Sequence, residues 1–422
     1  MIRKKWPVLV AIVAGSTLLL SGCGQQKSAI SDTPAAVLSS GKATGTVTVW
    51  GQGTEGEQLA VVAKDFEKEN PGVTVNVTPV PWGSALSKYQ TAVAGGTTPD
   101  IGQLGTDWMP SFATALTPTP SSIDTSGIFP EAVQTTDLGG THYGVPWYVE
   151  TRVIWYRKDL VAKAGFATFP TTFDGFVKLS EALKKGGAKY AINLPTSGFN
   201  AYINALPLLF SQGANVTSAD DKSWTINSDA MVSAVTDVSS LFSKGLADRT
   251  PSVAAGATQA AFVDGSVPMF ISGPWEIGGL KAAGGAGFED KIGAAVIPGT
   301  KPTSLISGSD LVVFKTSKNS DAAWKFIDYL NRPAVQTAWF TATGDLPAQT
   351  SAWNDPAVAD NPIAHAFGEQ LKSVKQLPSA STWPQVSAAA DATWEQIVKG
   401  STSVSSGLAA LQAKATSLGM GN

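Results

Sequence analysis

The chain has 422 residues, 43% hydrophobic and only 15% charged, a balance that suits a packed globular protein and excludes wholesale disorder. Its formal net charge of −3 offers no basic surface to displace counterions from a phosphate backbone, which excludes nucleic acid as a partner. The length exceeds that of one typical domain, so two lobes are expected.

At the N-terminus, Arg3, Lys4 and Lys5 precede an apolar run, Val8–Leu20. Spanning a bilayer core of roughly 30 Å takes about 20 residues, so the run is too short for a transmembrane helix and reads as a secretory leader. The chain's one cysteine, Cys23, follows Leu20-Ser21-Gly22, the order of a bacterial lipobox. Residues 1–22 are therefore expected to be a lipoprotein-type signal peptide. Cys23 is the expected lipidation site, holding the chain on the extracellular or periplasmic face of the cell membrane. Each buried acyl methylene contributes about 0.8 kcal/mol, and durable anchoring takes more than one chain. Residues 23–45, rich in Ser, Ala, Thr, Gly and Gln, carry no amphipathic period and read as a flexible tether. With no further cysteine, stability must come from core burial rather than disulfides.

The first strand is expected at Thr46–Trp50, ending in the turn Gly51-Gln52-Gly53-Thr54. A helix follows, with Leu59, Val62, Ala63 and Phe66 spaced for one buried face, and Asn70-Pro71-Gly72 stops it. Val73, Val75 and Val77 then alternate with polar residues, as a strand requires. Strand, helix and strand in so short a span make a βαβ unit with parallel strands. A second helix is expected at Ser84–Ala94, a buried strand from Pro99-Asp100-Ile101, and a short helix after Asp107-Trp108. The segment Tyr143–Arg157 is dense in aromatics: Tyr143, Trp147, Tyr148, Trp155 and Tyr156. Further helices are expected at about Thr172–Lys185, Asp229–Lys244, Ser320–Leu330, Pro333–Thr341 and Ser387–Lys399. No internal repeat and no long linker is evident, so the chain is expected to pass between lobes at short strands.

Catalytic signatures are scarce. The two histidines, His142 and His365, are not at zinc-ligand spacing, and no Gly-rich phosphate loop is present, so neither metal nor cofactor is expected. What remains is carboxylates and aromatics close to strand ends: Glu55, Asp107, Glu150 with Arg152, and Trp275-Glu276 after Ser272-Gly273-Pro274. In open α/β sheets ligands bind beyond the carboxyl ends of strands. Sugars suit such an inventory, because their hydroxyls pair with carboxylate, amide and guanidinium groups while their C–H faces lie against rings.

Several phrases occur in the order found in a known family. Val47-Thr48-Val49-Trp50 opens the series, followed by Phe66–Val73 and Ala94–Ile101. Tyr143-Gly144-Val145-Pro146-Trp147, Phe262–Met269, Gly273-Pro274-Trp275, Ala323-Trp324-Lys325-Phe326 and Thr343–Ala348 continue it. From about Val47 to Lys399 the chain resembles bacterial extracellular solute-binding proteins of the type of maltose-binding protein, which feed carbohydrate ABC importers. The resemblance implies an α/β, two-lobed periplasmic-binding-protein-like (type II) fold with a multi-segment hinge and a central ligand cleft. Crossings are expected near Val149–Val153, Pro298–Ser307 and Thr341–Thr350. Lobe one would combine 46–150 with 305–345, and lobe two 151–304 with 346–422. The implied function is capture of a sugar or oligosaccharide by a monomer that hands it to permease subunits, without catalysis.

The resemblance makes Trp275 a stacking platform and Glu150 and Asp107 hydroxyl acceptors. Gln52 and Glu55 belong to the first strand–helix turn, where many members contact sugar. Tyr148 and Arg152 are adjacent candidates, Arg152 alternatively orienting Glu150, and Trp383 is a candidate second platform. Two other functions remain open from the residues: a surface glycoside hydrolase using two of these carboxylates, which needs them held about 5–10 Å apart, and a binder of a polyol or peptide.

Overall fold

A computed structural model describes residues 37–198 and 200–421. The leader, Cys23 and most of the tether lie outside them. The expected βαβ unit forms at the start of the fold. Strand β1 (Thr44–Gln52) and strand β2 (Gly72–Val80) run parallel, Val47 opposite Val75, on either side of helix α1 (Gly53–Glu69). Leu59, Ala63 and Phe66 are buried on one face of α1, which is what their spacing requires. Asn70 ends the helix, its backbone N–H and its side-chain Nδ2 both donating to Phe66 O. Helix α2 (Trp82–Gly95) starts two residues earlier than expected, directly after Pro81, and stops at the left-handed Gly96. Strand β3 (Ile101–Gly105) is buried along its whole length and joins β1 in parallel.

The chain then builds two sheets. Strand β4 (Val145–Thr151) and strand β5 (Val153–Arg157) are separated by Arg152 alone, yet belong to different sheets. Strands β6 (Met269–Ser272) and β7 (Ile292–Ala295) flank β5 antiparallel and form the smaller sheet, in the order β6-β5-β7. Strand β8 (Ser304–Val313) returns to the larger sheet and lies antiparallel between β3 and β4. Two short strands complete it: β9 (Leu346–Pro347) on β4 and β10 (Val374–Gln376) on β8. The larger sheet thus has the order β2-β1-β3-β8-β4-β9, with β10 off that path.

The chain passes from the larger sheet to the smaller at Arg152 and back between β7 and β8. The two passages are also tied to each other. The Arg152 backbone N–H donates to Ser304 Oγ at 3.3 Å, and Ser304 Oγ donates to Arg152 O at 2.8 Å. After Thr350, the helix Pro362–Leu371 packs against β7 of the smaller sheet, and β10 then joins the larger sheet. Only then do the helices Trp383–Lys399 and Val404–Leu418 pack beside Ala201–Ser211 and Asp229–Ser243 in one helical core. The helix Ser320–Leu330 buries Ala323, Phe326, Ile327 and Leu330 as its spacing requires. Among the described residues, no helix is long and apolar enough to cross a membrane.

Candidate functional site

Residues at the ends of strands from both sheets surround one cavity of about 530 Å³. The βαβ unit supplies Glu55 from the first turn of α1, and α2 supplies Trp82 at its first position. The position of Glu55 depends on glycine: a Cβ on Gly56 would lie 2.3 Å from the carbonyl oxygen of Gly51. The helix can therefore sit directly on the strand end only without a side chain there. Asp107 and Trp108 follow β3, Tyr148 and Glu150 come from β4, and Arg152 from the crossing. From the smaller sheet, Trp275 and Glu276 follow β6. Six expected residues are thus brought together: Glu55, Asp107, Tyr148, Glu150, Arg152 and Trp275.

The polar groups form two connected sets. In the first, Tyr148 Oη donates to Glu55 Oε1 at 2.9 Å while accepting from Ser309 Oγ at 2.9 Å and Gln103 Nε2 at 3.3 Å. Gln103 is in turn fixed by Gln52, whose backbone N–H donates to Gln103 Oε1 and whose Nε2 donates to Gln103 O, both at 2.6 Å. In the second, Glu150 Oε1 accepts from Ser307 Oγ at 2.6 Å and from Arg152 at 3.0 Å. The guanidinium carbon of Arg152 also stands 4.7 Å from the centre of the Trp275 ring. Glu276 is buried with both oxygens engaged, by Ser272 Oγ and Gln259 Nε2 at 2.7 Å each.

Two expectations need correction. Gln52 is fully buried and does not line the cavity; it stands behind the wall and locks Gln103. Trp383 is likewise fully buried, packed 6.2 Å from Trp224 in the helical core, and is no open platform. A large ring at the head of a core-facing helix finds more apolar surface inside than at a cleft. Its indole Nε1 is buried without a hydrogen-bond partner among the described residues.

Burial raises three of the carboxyls at the cavity. It pushes Asp107 up to about 6, opposed by its own backbone N–H and reinforced by the charge of Glu150. Burial raises Glu55 as well, with its own backbone N–H and the Tyr148 hydroxyl pulling it down and Glu150 adding to the rise. Asp345, held by the Trp339 indole at 3.0 Å, is pushed well above the usual carboxylate range by burial, Glu55 and Glu150.

Sequence reasoning did not single out Asp345, Trp82, Trp108 or the amides Asn193, Asn204 and Gln259, all of which line the cavity. Trp82 and Trp108 stand edge to face, 5.6 Å apart. Both follow carboxyl ends of parallel strands, β2 and β3, and that rule alone would have found them. The amides come from segments with no strand pattern. Among the described residues, no group of three or more His, Cys, Asp or Glu could hold a metal ion.

Comparison with known proteins agrees with this architecture. The maltodextrin-binding protein MdxE of Bacillus subtilis is 27% identical over 398 residues, spanning 89% of each chain. The solved sugar-binding protein MalE of Xanthomonas citri is 32% identical with a TM-score of 0.79, over 88% of this chain and 96% of that one. The GacH receptor of Streptomyces glaucescens, solved unliganded and with acarbose, is 28% identical with a TM-score of 0.81, over 88% and 98%. The fold is thus the two-lobed, type II binding-protein fold. The family model described as bacterial extracellular solute-binding protein matches residues 62–366, well over half of the chain, and to that family the chain belongs.

Proposed function

We propose that this protein captures a sugar or oligosaccharide in the cleft and delivers it to an ABC-type importer, without chemical turnover. One observation carries the reading: Trp82, Trp108, Tyr148 and Trp275 line one cavity together with carboxylates and amides. Its volume of about 530 Å³ falls within the roughly 300–1,000 Å³ of small-molecule sites. Supporting it, a relative of similar length is a maltodextrin-binding protein, and two solved relatives bind sugar or acarbose. In this reading Trp275 stacks on a pyranose, Glu55, Asp107 and Glu150 accept from hydroxyls, and Tyr148 holds Glu55. Lobe one is centred on the larger sheet and lobe two on the smaller sheet with its helices. Binding shifts the population towards a closed cleft that permease subunits recognise. The monomer is held at the outer face of the membrane by lipid on Cys23.

A thermal-shift panel of malto- and chito-oligosaccharides, polyols and peptides tests this. A sugar response that Trp275→Ala weakens at least tenfold by calorimetry is expected. A peptide or polyol response with no sugar response would replace the ligand class, and sustained release of reducing sugar would replace binding by hydrolysis.

A further inference from the structure

Arg152 is the only Lys or Arg among the described residues lining the cleft, and it sits where a ligand is expected. It is 7% exposed. Its side chain makes two contacts at once, an N–H donated to Glu150 Oε1 at 3.0 Å and a guanidinium placed 4.7 Å from the centre of the Trp275 ring. Those contacts belong to different sheets, Glu150 to β4 and Trp275 to the turn after β6. Arg152 Nε is buried and has no hydrogen-bond partner among the described residues. Trp275, in contrast, remains 39% exposed. Its ring is held by a close approach to Gly273, where a Cβ would lie 1.9 Å from the ring.

We propose that the Arg152 side chain is a built-in surrogate for the ligand, and that a pyranose binds by exchanging with it on Trp275 and Glu150. The proposal rests on the sugar-binding reading above and narrows it. A ligand able to make the exchange must offer a flat apolar face for the indole and, at its edge, a hydroxyl that donates to Glu150. A pyranose with an equatorial hydroxyl beside its C–H face has both, whereas an acyclic polyol has the donor without the face. The exchange conserves contacts: a hydroxyl replaces the guanidinium N–H at Glu150, and a sugar face replaces the guanidinium plane at Trp275. Glu150 keeps the Ser307 hydroxyl throughout, at 2.6 Å. Only the side chain has to move, because the Arg152 backbone is clasped to Ser304 in both directions. Cation–aromatic contacts are strongest when desolvated, so the occupant of Trp275 sets a threshold that weakly stacking ligands do not pass.

The test uses the mature chain, maltotriose, maltopentaose and chitobiose as probes, and the variants Arg152→Gln, Trp275→Ala and their combination. Two readouts are taken: acrylamide quenching of tryptophan emission without sugar, and calorimetric affinity with it. Arg152→Gln is expected to increase quenching in the sugar-free protein, and to tighten binding of the best probe about threefold to tenfold, in line with removal of a partly buried cation–aromatic contact. The quenching effect should vanish in the Trp275→Ala background, and the gain in affinity should shrink there to the part owed to Glu150. Unchanged quenching overturns the exchange while leaving the sugar reading intact. Weaker binding by Arg152→Gln makes Arg152 an ordinary ligand contact and also overturns it. If no variant and no wild-type protein binds any probe, the sugar reading falls and the exchange falls with it.

Discussion

Asp310 shows how far this fold will go to keep a carboxyl group inside. It lies on β8, fully buried, facing Thr135 Oγ1 at 3.0–3.1 Å. That hydroxyl has one hydrogen and its shortest contact is Ala132 O at 2.6 Å, so a protonated Asp310 acts as the donor to Thr135. Burial accordingly pushes its pKa up to about 8. The native state then holds a proton that the unfolded chain, with an ordinary value near 3.8, releases. Between those two values stability falls as pH rises, because the native state binds more protons. Asp310→Asn keeps the shape and can donate without a proton to lose. It should raise stability at pH 7.5 by on the order of 1–3 kcal/mol, the gain shrinking towards pH 4. Urea unfolding at a series of pH values measures this; a gain independent of pH would contradict the assignment.

At the scale of elements, the junction of β1 and α1 does most to shape the cleft. Gly56 meets the Gly51 carbonyl so closely that a methyl group there would lie 2.3 Å from oxygen, and backbone cannot yield as a side chain would. Gly56→Ala should therefore cost on the order of 1–3 kcal/mol and displace Glu55, weakening sugar affinity along with Tm. Retained affinity despite lost stability would separate the helix start from the site. This junction was legible in the sequence, because the alternation in Val73–Val77 and the helical spacing of Leu59, Ala63 and Phe66 are strong local patterns. The helix Ala201–Ser211 was not. Ten of its eleven residues are buried and it contains Pro207, so no amphipathic period exists to read. Strands of two and three residues such as β9 and β10 carry no alternation either. The site followed the same division. Glu150 and Trp275 lay beside recognisable strand ends, whereas Gln52 and Trp383 could be placed behind the wall only by their tertiary partners, Gln103 and Trp224.

For the whole molecule, the relation of binding to anchoring gives a separable prediction. The fold begins against the helix Ser320–Leu330, where the Ser39 backbone N–H and hydroxyl donate to Asp321 at 2.7 and 2.9 Å. None of Ser39, Asp321 or Lys325 lines the cleft. Whatever precedes residue 37 is thus attached away from the site. Cys23→Ala should release a folded protein from the membrane and impair uptake in cells, with calorimetric affinity unchanged. A shifted affinity would mean that the N-terminal segment takes part in binding.

The position of β8 in the larger sheet has a consequence for synthesis. It lies between β3 and β4, although about 200 residues of chain separate it from β3 and about 150 from β4. The first half of a nascent chain therefore emerges from the ribosome without the strand that its sheet is assembled around. Until residue 313 arrives, β3 and β4 have no common neighbour to join them. The larger sheet therefore closes only once most of the chain, through Val313, has been made.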